Sequence, residues 1–357
     1  MDILGIGNAL LDIFWFSDAE SALQLGLHPN SSTHVGAERL DELLLAIPDP
    51  VLVSGGSAGN ALKAAAALGA GCTLIGCTGT ADREPDRWAN AFRGELESFG
   101  IDCRIEPRTV PTGRCLVIHM PGGMKSVACS PSAATALRAD QIDPELVAAA
   151  GVVLLDGQTL RNAEVTARVA SLCRESRIPI AVDVASVDIA RHHAPMLLEL
   201  LVRNDCILLA NSEEALALAI SLENQVPGDR GFQSSDDFID SVFGFFTSRK
   251  QAFPCIVEKQ GEKGARGWHS GNRYDASGTP VRFPLDDTAA GDIFTGALLR
   301  AWLRKLPLPT ALAFANGAAA ASLDSPGSRI DAEVFRRLSG ELDLLAPVPS
   351  AGDRTGD

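Results

Sequence analysis

The segment "DDTAAGDIFTGALL", residues 286–299, places two carboxylates before three small residues and a third carboxylate, Asp292. Apolar residues then follow at helical spacing: Ile293, Phe294, Ala297 and Leu298. This pattern predicts a tight turn that opens into a buried helix. Free N–H groups at a helix start attract anions, and small side chains leave those groups accessible. The segment therefore predicts an anion-binding seat with an aspartate inside it.

The composition of the whole chain restricts the ligands that this seat can serve. The 357 residues are enough for one large α/β domain or two smaller ones, and 46% of them are hydrophobic, which is ample material for a core. The net charge of −14 at pH 7 argues against nucleic acid or an anionic membrane as a partner. An anion must therefore be held locally, by backbone groups and a few basic side chains. This predicts a small-molecule site.

Cysteine usage and the start of the chain predict a cytoplasmic protein. The eight cysteines show no metal-binding spacing and most lie in apolar runs, so we expect buried free thiols in a reducing compartment. The first residues, "MDILGIGNALLDIF", contain no basic leader and are interpreted as a strand, not as a signal peptide. No apolar run approaches the roughly 18 residues that a membrane-spanning helix needs.

Short apolar runs alternate with amphipathic helical segments along most of the chain. Six runs are predicted strands: residues 3–7, 73–77, 152–156, 180–184, 206–210 and 255–259. Continuous apolar strands separated by helices predict a mostly parallel central sheet with helices on both faces. The predicted fold is therefore a three-layer αβα sandwich of the α/β class, in which ligands bind beyond the carboxyl ends of the strands.

Two segments interrupt this alternation and predict a small β lid. Residues 12–40 do not fit it, and residues 108–131 contain "TGRCLVIHMPGGMKSVAC", which is typical of a hairpin around residues 121–123. We expect both segments to form a small sheet that stands off the main one, within a single domain of residues 1–345. The tail, residues 346–357, is predicted to be disordered.

Two segments near the N-terminus combine turns with polar side chains. In "SGGSAGN", residues 54–60, the paired glycines allow a ligand to approach the backbone, although a plain turn before a helix explains them equally well. In "GIGNALLDI", residues 5–13, Asn8 and Asp12 suit a ligand with hydroxyl groups, with ordinary turn chemistry as the alternative. A dinucleotide fingerprint is disfavoured because Leu10 occupies the position of its third glycine.

Two segments in the second half of the chain follow predicted strands. In "ANSEEALAL", residues 210–218, Asn211 and Glu214 either cap a helix or hold the waters of a magnesium ion. The segment "KQGEKGA", residues 259–265, is a glycine-flanked turn that carries little information alone.

Together these segments resemble the ribokinase-like superfamily, the PfkB carbohydrate kinases, and most closely its adenosine-kinase-like branch. The superfamily signature D-T-x-[GA]-A-G-D is similar to residues 286–292, with Asp287 where Thr, Ser or Val is common. Its glycine pair with a downstream Asn is similar to residues 55–60, and its N-x-x-E motif to residues 211–214. Lys125 stands in the lid where relatives often have Arg, and Lys259 stands where Thr is common.

The resemblance implies a site for phosphoryl transfer. N–H groups at the helix start would hold the transferring phosphoryl group, and Asp292 would accept the proton of the attacking hydroxyl. The implied catalytic residues are Ala289, Ala290, Gly291 and Asp292. The implied acceptor-binding residues are Asn8, Asp12, Gly55, Gly56 and Asn60. The implied residues on the ATP side are Asn211, Gly261, Gly264, Asn316 and Lys125. For the metals, Glu214 would hold Mg2+ through water, and Asp286 would hold a monovalent cation such as K+.

The implied function is ATP- and Mg2+-dependent phosphorylation of a primary hydroxyl of a nucleoside or a sugar, by a monomer or homodimer. A sugar kinase of the ribokinase or fructokinase type, without nucleoside activity, is the first alternative. The second is a non-catalytic relative that senses its ligand, suggested by Asp287 and an altered segment at residues 78–88. A Rossmann dehydrogenase is the remaining class.

Overall fold

The structure is a computed structural model, and it describes residues 1–222, 234, 236, 242, 254–282 and 284–345. The predicted disordered tail, residues 346–357, lies outside the described residues. Among the described residues, no helix is long and apolar enough to cross a membrane.

Fifteen strands lie within the described part of the chain. They are β1 (Ile3–Ile6), β2 (Leu10–Phe16), β3 (Ser31–His34), β4 (Val51–Gly55), β5 (Cys72–Ala81), β6 (Glu84–Pro85), β7 (Asp102–Arg108), β8 (Gly113–His119), β9 (Lys125–Ser130), β10 (Val152–Asp156), β11 (Ile180–Asp183), β12 (Cys206–Asn211), β13 (Cys255–Lys259), β14 (Gly264–His269) and β15 (Asn272–Ser277). The helices of the same residues are α1 (Ala19–Gln24), α2 (Ala37–Leu45), α3 (Ser57–Ala67), α4 (Arg87–Ser98), α5 (Pro144–Ala148), α6 (Ala163–Ser176), α7 (Val187–His192), α8 (Ala194–Arg203), α9 (Ser212–Leu222), α10 (Ala290–Leu303), α11 (Leu308–Ser322) and α12 (Ala332–Leu344).

The large central sheet has the strand order β15-β14-β13-β12-β11-β10-β1-β5, with β6 and β7 both paired to β5. The strands from β13 through β5, and β7 beyond it, run parallel, whereas β14, β15 and β6 are antiparallel additions. All six predicted strands lie in the parallel part. The predicted α/β class and mostly parallel sheet are therefore confirmed.

Helices cover both faces of the central sheet because its strands are apolar on both sides. In β10, Val153 and Leu155 belong to one buried cluster, whereas Val152 and Leu154 belong to the other. Successive side chains of a strand point to opposite faces, so a continuous apolar run supplies both layers. One cluster includes residues of α6 to α9, and the other includes residues of α3 and α10 to α12. This is the predicted three-layer sandwich.

A second, five-stranded sheet has the order β3-β9-β8-β2-β4. Strands β8 and β9 form the predicted hairpin around Pro121–Gly123, and the small sheet expected from residues 12–40 and 108–131 is present. It also contains β4, which is not among the six strands predicted from the sequence and which ends at Gly55, the first glycine of the pair. Movement of this small sheet over a site remains a prediction.

The cysteine expectation holds for six residues and is wrong for two. The thiols at positions 72, 77, 103, 173, 206 and 255 are free and buried. Cys115 and Cys129, however, form a disulfide between β8 and β9. The hairpin register pairs these two residues directly, which brings their side chains together on one face of the small sheet. Sequence spacing alone does not reveal this register.

Candidate active site

The predicted anion seat lies at the start of α10. Ala289 precedes the helix in the left-handed region, at φ 63°, and turns the chain so that the first helical N–H groups face outward. The N–H of Ala290 donates to the carbonyl of Asp287 at 3.2 Å. The next two N–H groups, of Gly291 and Asp292, lie in the first turn, where an α-helix has no internal acceptor for them. The predicted turn and helix therefore occur together, and anion binding at this helix start remains a prediction.

Asp292 is the carboxylate inside this seat. Its Oδ2 accepts a hydrogen bond of 2.8 Å from Nδ2 of Asn60, which lies on α3. Burial, and then the charge of Asp183, raise the pKa of Asp292 to about 6, against the opposing hydrogen bond from Asn60. A carboxyl group with a pKa near neutrality is suited to accept a proton at physiological pH.

The residues predicted for acceptor binding converge around the ends of β1, β2 and β4. Gly56 has φ 84°, and a Cβ atom there would lie 2.0 Å from the carbonyl oxygen of Asn8. A Cβ at Gly55 would lie 2.3 Å from the carboxylate of Asp12. The glycine pair is therefore required by close packing of the chain itself, and it lets Asn8 and Asp12 lie beside α3.

Two polar side chains in this region, the partly buried Asp12 and the buried Asn60, have the chemistry of a hydroxyl-binding site. Burial raises the pKa of Asp12 to about 7, although the charge of Lys63 lowers it and that of Asp292 raises it further. The Oδ1 atom of Asn60 is buried and has no hydrogen-bond partner among the described residues. Buried acceptors are normally satisfied, so this atom is available to a donor such as a substrate hydroxyl.

A cavity of about 1170 Å³ opens between the small sheet and the central sheet on this side. It is lined by Asn8 and by polar side chains that include Ser32, His34, Gln158 and Arg161. The two cysteines of the disulfide, Cys115 and Cys129, also line this cavity.

A second cavity, of about 610 Å³, lies on the other side of the seat. Its lining includes Gly261, Gly264 and Asn316, the residues predicted for ATP, together with Ala290 and Gly291 of the seat. The amide of Asn316 donates to the carbonyls of Ala276 and Ser277, each at 3.1 Å, and so shapes the wall of the cavity. The seat thus borders this second cavity through Ala290 and Gly291, whereas the first cavity is lined by Asn8 alone of the residues predicted for acceptor binding.

Asn211 and Glu214 form a reciprocal cap at the start of α9. The N–H of Asn211 donates to Glu214 Oε2 at 2.9 Å, and the N–H of Glu214 donates to Asn211 Oδ1 at 2.8 Å. Burial raises the pKa of Glu214 despite the nearby charge of Lys259. Among the described residues no cluster of three His, Cys, Asp or Glu side chains could hold a metal alone. One carboxylate with an adjacent amide does fit Mg2+ that arrives with phosphates and keeps its waters.

The structure also shows a charged network that the motifs did not predict. Lys259, at the end of β13, donates to both carboxylate oxygens of Asp183 at 2.8 and 2.7 Å. Thr295 of α10 donates to the same carboxylate at 2.6 Å. A Cβ at Gly291 would lie 3.4 Å from Lys259 Nζ, so this ammonium borders the seat. Burial alone would lower the pKa of Lys259, but the charges of Asp183 and Glu214 outweigh it and raise the pKa.

Lys125 does not line the cavity predicted for ATP. Its ammonium instead donates to Asp286 Oδ1 at 2.7 Å and to Thr288 Oγ1 at 2.9 Å, and it also bonds Asp287 Oδ1. These contacts join the hairpin of the small sheet to the loop that precedes the seat. The carboxylate of Asp286, the predicted cation ligand, is therefore paired with the ammonium of Lys125 in the structure.

The profile of the pfkB family carbohydrate kinases matches residues 31–334, more than half of the chain. This chain belongs to the pfkB family. It is accordingly a phosphotransferase that acts on an alcohol group, and the family implies ATP as the phosphoryl donor. The matched range contains the seat, the Asn211–Glu214 cap and the glycine turn at residues 261–264, whereas Asn8 and Asp12 precede it.

Solved structures of pfkB-like kinases share the fold over nearly their whole length. A probable sugar kinase from Rhizobium etli CFN 42 superposes with a TM-score of 0.81 at 20% identity, covering 96% of this chain and 99% of that one. The adenosine kinase from Sinorhizobium meliloti superposes with a TM-score of 0.77 at 22% identity, covering 94% of this chain and 98% of that one. The adenosine kinase from Anopheles gambiae superposes with a TM-score of 0.75 at 19% identity, covering 92% of this chain and 97% of that one. At these identities the likeness concerns the fold, and the adenosine-kinase-like architecture is confirmed.

Proposed function

We propose that this protein transfers the γ-phosphoryl group of ATP to a primary hydroxyl of a sugar or nucleoside, with Asp292 as the general base. The observation that carries the proposal is the position of Asp292. It lies in the first turn of α10, next to the N–H groups of the seat, and its carboxylate is held by Asn60 from the acceptor side. A base and an anion seat on the same helical turn suit a hydroxyl attacking a bound phosphoryl group.

The chemistry follows from groups around this turn. Asp292 accepts the hydroxyl proton, and the N–H groups of Gly291 and Asp292 stabilise the charge on the transferring group. Lys259 borders the seat at Gly291 and neutralises phosphate charge in a site that Asp183 and Thr295 hold in place. Mg2+, when bound with the nucleotide through waters held by Asn211 and Glu214, supplies further charge neutralisation.

The cavity of about 1170 Å³ that Asn8 lines offers many polar side chains, and this makes a sugar kinase without nucleoside activity the second candidate. Its described lining includes several hydroxyl, amide and charged side chains but no Phe, Tyr or Trp. Hydrogen-bonding groups of this kind select strongly for ligands with matching hydroxyls. An aromatic side chain is the common partner for stacking a nucleobase, and His34 is the one aromatic ring among the described residues that line this cavity.

ATP consumption on a panel of sugars and nucleosides tests the proposal directly. We expect one acceptor class to give turnover that depends on Mg2+, with the phosphate recovered on a primary hydroxyl. Turnover on free sugars but not on their nucleosides would select the second candidate. A panel without any acceptor-dependent turnover would contradict the proposal.

A further inference from the structure

Two positions at which this chain departs from the pattern of its family are in direct contact. Asp287 occupies the second position of the signature and Lys125 occupies the lid position, and the ammonium of Lys125 bonds the carboxylate of Asp287. The other two partners of the ammonium are Asp286 Oδ1 and Thr288 Oγ1. An ammonium group has three protons, and each has one acceptor here. The loop at residues 286–288 therefore surrounds a cation that the chain itself supplies.

The carboxylate of Asp286 accepts four hydrogen bonds from this chain. Its Oδ1 accepts from Lys125, from the N–H of Thr288 at 2.9 Å and from Thr288 Oγ1 at 2.7 Å. Its Oδ2 accepts from the N–H of Gly327 at 2.7 Å, and His119 Nε2 lies 3.5 Å away. Each carboxylate oxygen has two lone pairs, so the three donors on Oδ1 leave none free there, whereas Oδ2 accepts one hydrogen bond only. A K+ ion at Oδ1 would have to displace Lys125, so this side of Asp286 does not fit K+ while the ammonium is in place.

The charge balance of the loop leads to the same conclusion. The side chain of Asp286 is fully buried, and the ammonium of Lys125 lies 2.7 Å from its Oδ1. Lys125 is thus the positive partner of this carboxylate. Asp287 adds a second, exposed carboxylate to the same ammonium. A monovalent cation placed beside Asp286 would meet Lys125 at short range, where like charges repel.

We infer that the ε-ammonium of Lys125 takes the place of the monovalent cation that the family resemblance implies, so that the transfer site works without K+. The inference rests on the proposed function for its effect on rate, but the occupancy of Asp286 is independent of any substrate. The loop that Lys125 binds leads directly into Ala289 and the seat. Loss of the ammonium therefore disturbs the seat, and a small free cation can restore it.

The first experiment compares cation responses of the wild type and Lys125→Met, which removes the charge and keeps an unbranched side chain. Melting temperature and kcat are measured in K+, NH4+ and tetramethylammonium at equal ionic strength. We expect the wild type to show the same values in all three salts. We expect Lys125→Met to lose about 5- to 150-fold in kcat in tetramethylammonium, and to recover both kcat and melting temperature in K+ or NH4+. Lys305→Met, which removes an exposed lysine far along the chain, should respond like the wild type.

Selective activation of the wild type by K+, or a Lys125→Met enzyme with unchanged kcat in every salt, would overturn the inference. The melting temperatures separate its failure from that of the proposed function, because they need no acceptor. Should Lys125→Met not fold, crystals of the wild type soaked in rubidium chloride decide the matter. We expect no anomalous peak at coordination distance from Asp286, and a peak there would overturn the inference.

Discussion

Asn60 on α3 donates a hydrogen bond of 2.8 Å to the carboxylate of Asp292 on α10. The two residues are 232 positions apart in the sequence, and the bond joins the acceptor side of the site to its phosphate side. The helices that carry them pack closely at Gly296, where a Cβ atom would lie 2.0 Å from the carbonyl oxygen of Ala61. The position of the proposed base is therefore set by the packing of two helices, one of which directly follows the glycine pair.

Replacement of Asp292 by Asn tests whether this carboxylate takes part in catalysis or only stabilises the structure. Asparagine preserves the shape and the helix start but cannot accept a proton, so kcat should fall by about 10²- to 10⁴-fold while both substrates still bind. The matched control is Asp331→Asn, which changes the carboxylate that caps α12 through the N–H groups of Glu333 and Val334. That enzyme should keep its kcat. An Asp292→Asn enzyme within tenfold of the wild type would contradict the mechanism.

The pH dependence of the reaction should report the same group. A general base works only when it is deprotonated, and the pKa of Asp292 is raised to about 6. We therefore expect kcat/KM to be constant well above that pH and to fall by about tenfold per pH unit below it. The charge of Asp183 raises this pKa, so Asp183→Asn should move the falling limb to lower pH. A profile that stays flat down to pH 4.5 would exclude Asp292 as the base.

The close packing of α3 against α10 can be tested by its effect on the free energy of unfolding. Gly296→Ala forces a methyl group against the backbone of Ala61, and we expect unfolding to become easier by about 1–3 kcal/mol. Gly317 of α11 is the matched control because no atom would lie within 4 Å of an added Cβ. Gly317→Ala should be neutral or stabilise by up to about 1 kcal/mol. Urea denaturation measures both, and equal effects would show that the helices can separate without cost.

The sequence predicted those parts of the site that depend on local pattern. The turn before Asp292, the glycine pair and the capped start of α9 each lie within a few residues, and local propensity decides them. Asp183 and Lys259 were missed because their contact depends on the order of strands. Both end parallel strands of the predicted sheet, but β12 lies between β11 and β13, and no local pattern shows that one side chain reaches the other.

Register was the second kind of information that the sequence pattern lacked. The pairing of Cys115 with Cys129 follows from the alignment of β8 with β9, and a shift by one residue would place them on opposite faces. In the same way, the contact of Lys125 with residues 286–288 depends on how the hairpin of the small sheet lies against the central domain. The family resemblance shows that Lys125 and Asp287 both depart from the usual pattern, but it gives no reason to expect that they are in contact.

Asp12→Ala tests the acceptor side of the site. Asp12 lies partly buried in β2, next to Gly55 of β4, and we place it on a substrate hydroxyl. Loss of a hydrogen bond to a charged group should raise the KM of the acceptor by about 10- to 100-fold, with little change in the KM of ATP. Glu42→Ala is the control, because that carboxylate lies exposed on α2 and pairs only with Arg39 in the described contacts. Equal changes in both KM values would contradict the proposed contact between Asp12 and the acceptor.

The last prediction concerns Lys259, whose ammonium is held by Asp183 and borders the seat. Lys259→Met leaves the buried carboxylate of Asp183 without its partner, so the variant should lose about 3–5 kcal/mol of stability as well as activity. The double variant Lys259→Met/Asp183→Asn removes both charges and should regain most of that stability. If Lys259 stabilises the transferring phosphoryl group, kcat should remain about 10²- to 10³-fold low in the double variant, because the lost charge is not replaced. Recovery of kcat together with stability would show instead that Lys259 only balances a buried charge.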